Sequence, residues 1–543
     1  MANDDLAGGG QSRFFKMLTA KQLGVFSLLL GALPYYVPLM FYGFHLWLWR
    51  NFSGPSMETI SMLLMFGTKG LEAPFYYTQT GILYLILMPW LVALLLSFFD
   101  QWIALRLKKN TKDPLQIKKI GWWRLRIKFF LVLMIVMVSC SIFWRGANIT
   151  DFVYSRVPWP HQPDYFQQNY IDPKQVAIVA PKKKKNLIVI YVESLEDSFK
   201  HPAYYGRNLL AALQPIEDKS LVLNFKTIGT AVHTQSGHVA SQCGLPIRSV
   251  FFIDLKNTHG DSTVLQNAIC LSDILKKYGY DNVFIQAAFR NSAGLADFYN
   301  QTHHFDEAYH MEYFQQNGYG TAISEKQGQW GLHDAPILEE GYNKLKELQD
   351  RRKIDGTPFF LIIATIDMHL PASSSCHYNA PTNVDNLDKV VECTAQALHD
   401  FFAKAESMNL LKDSEILLMG DHRMTAIAYV DIKTWDALYP HRDIYGFIYK
   451  QKLRLANERQ VTHYDLFPTM LELLDFKVAG GRLGFGYSMF QEFTDMPSIA
   501  TRQKIMTQAL YVSPFYFNLW RQPDKAMQQY MGLLPSSDDN IIN

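Results

Sequence analysis

The sequence predicts an α-helical membrane anchor followed by an α/β domain built on a mainly parallel central sheet. Charge-free apolar stretches crowd into the first 150 of 543 residues: Gln22 to Trp49 and Ala73 to Phe99 hold no formal charge, and Phe129 to Trp144 is a shorter apolar run between Lys128 and Arg145. From Asn186 onward, short β-rich runs alternate with helical patterns, at Leu187 to Val192, Asn282 to Gln286, Phe359 to Thr365, Glu415 to Met419 and Tyr445 to Tyr449. Continuous apolar runs with helices between them indicate strands buried on both faces.

The first three runs read as membrane spans over 22–49, 80–99 and 127–146, within a unit of residues 1–147. A span needs about 20 apolar residues, or fewer where flanking Lys and Arg snorkel to the interface. The first run is too long for a cleavable signal and no small-residue cleavage site follows it, so it is expected to stay as an anchor. Between the second and third runs lie Arg106, Lys108, Lys109, Lys112, Lys118, Lys119, Arg124, Arg126 and Lys128, which mark a cytoplasmic loop. Three crossings then deliver everything after Arg145 to the outer side of the membrane. The short apolar patch Ile60 to Gly67 is expected to lie at the interface and not to span.

A formal charge of +2 at pH 7 gives no sign of a nucleic-acid partner. Of five cysteines, Cys140 falls in the third run, while Cys243, Cys270, Cys376 and Cys393 form an even set in the exported part. Such a set suggests two disulfides. Three pairings exist, and nearness along the chain favours Cys243 with Cys270 and Cys376 with Cys393. Residues 148–185 form a Pro-rich connector ending in Lys182 to Lys185, read as a solvated charge run with head-group contact as the other reading. The catalytic unit is expected to cover 186–543.

In parallel sheets the working residues lie just beyond the carboxyl ends of the strands. Here NLIVIYVESLE stops at Glu193, FFLIIATIDMHLP at Asp367 and His369, and EILLMGDHRM at Asp421 and His422. An acid followed by His after a buried strand is a plausible metal pair, and Glu193 adds a third ligand suited to Zn²⁺ or Mn²⁺ ahead of Mg²⁺. In TAVHTQSGHVASQCGLP, Thr234 or Ser236 opens a helix through small residues. A hydroxyl there feels the positive end of the helix dipole, as a nucleophile would need, but an ordinary N-cap Thr occupies the same place.

The segments VIYVESLE, TQSGHVASQCGLP, NAICLSDILK, TIDMHLP and LLMGDHRM, in that order, resemble the membrane phosphoglycerol transferases that decorate periplasmic glucans. More distantly they resemble lipoteichoic acid synthase and the phosphoethanolamine transferases of lipid A. The match runs from the membrane region to about Asp421, and VASQCG with Cys270 in ICLSDILK is its specific part. The resemblance implies a sulfatase/alkaline-phosphatase-like fold in which Glu193, Thr234, Asp421 and His422 hold one divalent metal and Thr234 is the nucleophile. It further implies a substrate role for His369 and for Trp330, Gly331 and Asp334, which match an aromatic-Gly-x-x-Asp pattern. His333 and Arg290 stand near the same pocket, Arg290 as a phosphate holder.

The implied reaction transfers a phosphoglycerol head group from phosphatidylglycerol to a periplasmic or envelope glycan, free or lipid-linked, through a phosphothreonine. Phosphoethanolamine transfer is the alternative on the same machinery, since Asp334 could hold an ammonium. Sulfatase activity is set aside, because those enzymes resemble one another in a C-x-P-S-R motif and Cys243 lies in CGLPIR. A non-catalytic scaffold or sensor would show a degenerate site, and here no metal position is missing.

Overall fold

The computed structural model describes residues 20–52, 57, 75–111, 113–157, 161–247, 264–286, 288–289, 294–295, 297–319, 331–369, 372, 374–377, 380–384, 386–424, 442–450 and 460–520. The chain divides into two compact units, one of three long helices and the other containing everything from Asp151. In the first, α1 is Ala20–Phe52, α2 runs through Phe75–Ile82, a π-turn at Leu83–Leu87 and Met88–Lys109, and α3 is Pro114–Gly146. Each contains a segment long and apolar enough to cross a membrane: Gly24–Leu48, Gln79–Leu107 and Pro114–Gly146. The α1–α2 contact is close because Gly31 faces Ser97, whose hydroxyl donates to the Leu28 carbonyl at 2.9 Å.

The basic stretch between the second and third runs is helix and not loop. Asp113 caps α3 by accepting the Leu115 N–H at 3.0 Å and Pro114 takes the first helical position, where its missing donor costs nothing. Lys118, Lys119, Arg124, Arg126 and Lys128 therefore lie on the first half of α3. Lys112 and the patch Ile60 to Gly67 fall outside the described residues.

The second unit is organised by a seven-stranded sheet. Its strands are β1 Asn186–Val192, β2 Leu221–Val222, β3 Asp281–Gln286, β4 Glu307–Tyr309, β5 Phe359–Ala364, β6 Ser414–Gly420 and β7 Gly446–Ile448, in the spatial order β2-β7-β6-β1-β5-β3-β4. The five strands from β6 to β4 are parallel, while β7 is antiparallel to both β6 and β2. The run at Tyr445 to Tyr449 thus forms a strand but reverses direction at the edge of the parallel block.

β1 is buried at every position, and its alternate side chains serve two cores. Ile188, Ile190 and Val192 pack under α6 Asp334–Asp355 and α7 Leu387–Ser407, beside Leu345 and Leu398. Leu187, Val189 and Tyr191 pack on the other face under α4 Thr234–Cys243, α5 Leu271–Lys277 and α8 Leu466–Leu473, beside Val239, Leu271 and Phe467. Three of the four connector lysines have partners within the unit. Lys183 pairs with Asp413 at 3.0 Å, Lys185 with Glu415 at 2.9 Å and Asp475 at 2.8 Å, and Lys184 donates to the Tyr278 carbonyl at 2.6 Å.

Cys243, the last residue of α4, is disulfide-bonded to Cys270, the N-cap of α5, over a separation of 27 residues. Cys393 is also disulfide-bonded, while the side chain of Cys376 lies outside the described residues. Cys140 is free and exposed. Closing a loop of 27 residues restrains the unfolded chain by roughly 3 kcal/mol. Cys243→Ala should lower the unfolding free energy of this unit by about that amount, read from chemical unfolding of the full chain, and an unchanged midpoint would refute it.

Candidate active site

β1 and β6 are parallel neighbours in register, with Val192 opposite Gly420. Both strands stop at that level, so Glu193 and Asp421 leave the sheet side by side. The chain turns immediately after each. Ser194 takes a left-handed φ of 54°, and at Gly420 a Cβ would strike the Leu195 carbonyl, so only glycine lets the two strand ends come this close. Helix α4 lands on the same spot, because Gly237, in its first turn, lies against the Asp421 carbonyl with no room for a Cβ.

This packing brings Thr234, the first residue of α4, against the strand ends. Its Oγ1 donates to Glu193 Oε2 at 3.3 Å and lies 3.3 Å from His422 Nε2. His422 Nε2 is 3.2 Å from Glu193 Oε1 and 3.6 Å from Asp421 Oδ2. The three residues Glu193, Asp421 and His422 are buried and offer ligand atoms within 4.8 Å of one another. His422 Nδ1 sits 2.7 Å from the Arg423 carbonyl, which can only accept, so Nδ1 carries a proton and Nε2 is the atom turned to the carboxylates.

The charges are strongly coupled. Burial would raise the Glu193 carboxyl, yet the charge and hydrogen bond of His422 hold it at about 2. Burial and the adjacent Glu193 push Asp421 up to about 7. Burial opposes a charged His422, but Asp421 and Glu193 outweigh it and raise the ring to about 10. Two carboxylates are thus kept together in a dry site by a proton and an imidazolium, the positions a divalent cation would take over. Two carboxylates, an imidazole and a hydroxyl form a hard-to-borderline donor set that fits such a cation.

Backbone donors fix these ligands. The Ser194 and His422 N–H groups donate to Asp421 Oδ1 at 2.9 and 2.8 Å, and Ser194 Oγ donates to Glu193 Oε1 at 2.8 Å. Thr365 Oγ1 accepts the Glu193 N–H at 3.1 Å. His463, which sequence reasoning missed, is fully buried and donates from Nε2 to the Asp421 carbonyl at 2.8 Å. Its setting, a capping box from Thr462 to Asp465, looks like an ordinary helix start. His233, the N-cap before Thr234, was also missed; burial and the nearby His422 lower it to about 4.

The remaining expected residues separate into three groups. His369 is half-buried in the turn after β5, close enough for its charge to bear on Glu193 and His233. Asp334, expected at the substrate, is turned inward. It is 1% exposed, Oδ1 accepts the Ile366 and Asp367 N–H groups at 2.7 and 3.0 Å, and Oδ2 accepts the Thr394 hydroxyl at 2.7 Å. Burial and Asp367 raise it to about 7. Its task is to hold the turn that carries His369, and His333 joins that support through Nδ1, 2.8 Å from Asp367 Oδ1. Arg290 and Trp330 fall outside the described residues.

Residues 185–476 match the sulfatase family model. Proteins named phosphoglycerol transferase I from Salmonella paratyphi B and Salmonella typhimurium are each 30% identical over 303 residues, which is 54% of this chain and 37% of theirs. The match therefore spans little more than a third of those relatives. A solved protein of the alkaline phosphatase superfamily from Vibrio parahaemolyticus is 17% identical at a TM-score of 0.47, covering 69% of this chain and 98% of that one.

The close approach of α4 to the Asp421 backbone makes Gly237 a sensitive position. Gly237→Ala should destabilise the unit by about 1 to 3 kcal/mol, as overpacking of a tight contact does. Thermal unfolding of the full chain checks this, and a midpoint equal to wild type would show that the helix can retreat without cost.

Proposed function

This chain belongs to the sulfatase family, and on that premise we propose that it is a metal-dependent phosphotransferase of the inner membrane whose catalytic unit faces the periplasm. It moves the phosphoglycerol head group of phosphatidylglycerol to a periplasmic or cell-envelope glycan through a covalent phosphothreonine at Thr234. The observation that carries this reading is the Thr234 hydroxyl at the start of a 10-residue helix, 3.3 Å from both Glu193 Oε2 and His422 Nε2. His233 holds the N-cap position, so the Thr234 hydroxyl is not spent on capping and points to a buried carboxylate and imidazole.

Glu193, Asp421, His422 and Thr234 are the residues that would hold the cation. Once bound there, a divalent ion lowers the pKa of the Thr234 hydroxyl and offsets phosphoryl charge. The chain's own residues do the rest. Glu193 accepts the Thr234 hydrogen bond and fixes the direction of its lone pairs. The α4 N-terminus favours the negative charge gathering on the phosphoryl oxygens. Thr234 Oγ1, its proton released to water, would form the new P–O bond as the bond to diacylglycerol breaks, and His369 would give its own proton to the departing oxygen. In the second half the acceptor hydroxyl passes its proton to His369, left neutral by the first step, and bonds to phosphorus as the bond to Thr234 Oγ1 breaks and Oγ1 leaves unprotonated.

Two features support this donor and reaction. The inward turn of Asp334 removes the carboxylate that would have paired with an ethanolamine ammonium, and the Salmonella relatives are phosphoglycerol transferases by name. The C-x-P-S-R motif that sulfatases share is absent from the sequence, and Cys243 is committed to a disulfide.

Intact-protein mass spectrometry of the full chain given phosphatidylglycerol should show a glycerophosphate adduct on Thr234. Thr234→Ala should fold, release no diacylglycerol and form no adduct; release at the wild-type rate would remove Thr234 from the mechanism, and a faster adduct from phosphatidylethanolamine would change the donor. Cation uptake must displace the protons on Asp421, near 7, and His422, near 10, so affinity should rise with pH across the neutral range while protons are released. Calorimetry of Zn²⁺ or Mn²⁺ binding between about pH 6 and pH 8 reads both effects. A pH-independent affinity would take Asp421 and His422 out of the ligand set.

A further inference from the structure

The charge-free runs of α2 and α3 end at one group of charged side chains. Asp100 directly follows Phe99, the last residue of one run, and Lys128 directly precedes Phe129, the first of the other. Arg124 grips Asp100 through two hydrogen bonds, Nε to Oδ1 at 2.7 Å and Nη2 to Oδ2 at 2.8 Å. One carboxylate is thereby matched by one guanidinium. Lys128 Nζ donates to the Gly31 carbonyl of α1 at 3.0 Å and lies 5.2 Å from the Tyr35 ring centre, but reaches Asp100 Oδ2 only at 4.0 Å.

The group therefore has two cations for one anion at the boundary of the apolar segments. Charge left unmatched at that depth is costly unless a counter-ion meets it. Among the described residues Asp100 is the acid that Arg124 and Lys128 meet, and between residues 100 and 128 nine Lys and Arg accompany only Asp100 and Asp113, of which Asp113 caps α3. Arg124 and Lys128 keep 34% and 21% of their side-chain surface exposed, so an outside anion can reach both. Alongside, Trp122 and Trp123 are exposed and the Arg126 guanidinium stacks 3.1 Å over the Trp122 ring, the pairing of aromatic and basic side chains that settles at the head-group level of a bilayer.

We propose that Arg124 and Lys128, held by Asp100 and Gly31 where the three helices meet, form a binding site for the phosphate of an anionic phospholipid of the surrounding bilayer. The ligand is a membrane lipid, drawn by charge complementarity and kept by the apolar helix surfaces on which its chains would lie. The site belongs to the helical unit alone and does not depend on the phosphotransfer reading.

The full chain in detergent micelles, titrated with a fluorescent-tailed phosphatidic acid, tests this, because that lipid has the phosphate but no glycerol head group. Lys128→Gln should weaken binding about fivefold, the effect of one basic side chain toward an anionic lipid. Asp100→Asn, which releases Arg124 from its partner, should tighten it. A phosphatidylcholine probe should bind wild type and Lys128→Gln alike. Equal phosphatidic acid affinity of wild type and Lys128→Gln overturns the site, and so does weaker binding by an Asp100→Asn chain whose circular dichroism retains its helices. Displacement of the probe by millimolar inorganic phosphate would assign the group to a free anion and overturn the lipid assignment.

Discussion

The α/β unit depends on two carboxylates, Glu193 and Asp421, being forced together in the interior. The register of β1 against β6 leaves them no choice, since Val192 and Gly420 are paired and each acid is the next residue along. Burying two such charges costs several kcal/mol per ion unless charge and hydrogen bonds answer them. His422 supplies the charge, and the Ser194 and His422 amides with the Ser194 hydroxyl supply the hydrogen bonds. A site assembled against this cost would be relieved by a cation, and the proposed phosphotransfer draws on that property.

Much of the rest of the unit works to stop those groups from moving apart. Gly237 and Gly420 permit backbone contacts that any larger residue would prop open. The Cys243–Cys270 disulfide fixes the far end of the helix that opens with Thr234, so that short element is anchored at both ends. Asp334 plays the equivalent part for His369: its carboxylate organises the backbone at residues 366 and 367 and is itself tied to Thr394 of α7. A residue expected to touch substrate thus contributes by shaping a turn.

The helical unit follows the same physical rule in a different solvent. Polar groups there are either joined in pairs, as Arg124 with Asp100 and Ser97 with the Leu28 carbonyl, or placed where the apolar runs stop. Among the described residues Lys128 meets an acid only at Asp100, 4.0 Å away, and the proposed lipid site rests on that imbalance.

The sequence by itself determined the periodic features. Apolar runs located the three long helices and five strands, and the polar residue ending each run located Glu193, Asp367, His369, Asp421 and His422, because side-chain burial along a strand is a local pattern that stops where the strand does. It also favoured the Cys243–Cys270 bond through nearness along the chain. Only the tertiary structure decided which of these ends meet. Strand order and direction depend on pairings between residues more than two hundred positions apart, such as Val192 with Gly420, and the reversal of β7 leaves no local trace. Whether an acid faces substrate or the interior depends on what packs against it: Asp334 turned inward because the amides at 366 and 367 needed an acceptor there, and His463 entered the site through a single hydrogen bond to a distant carbonyl.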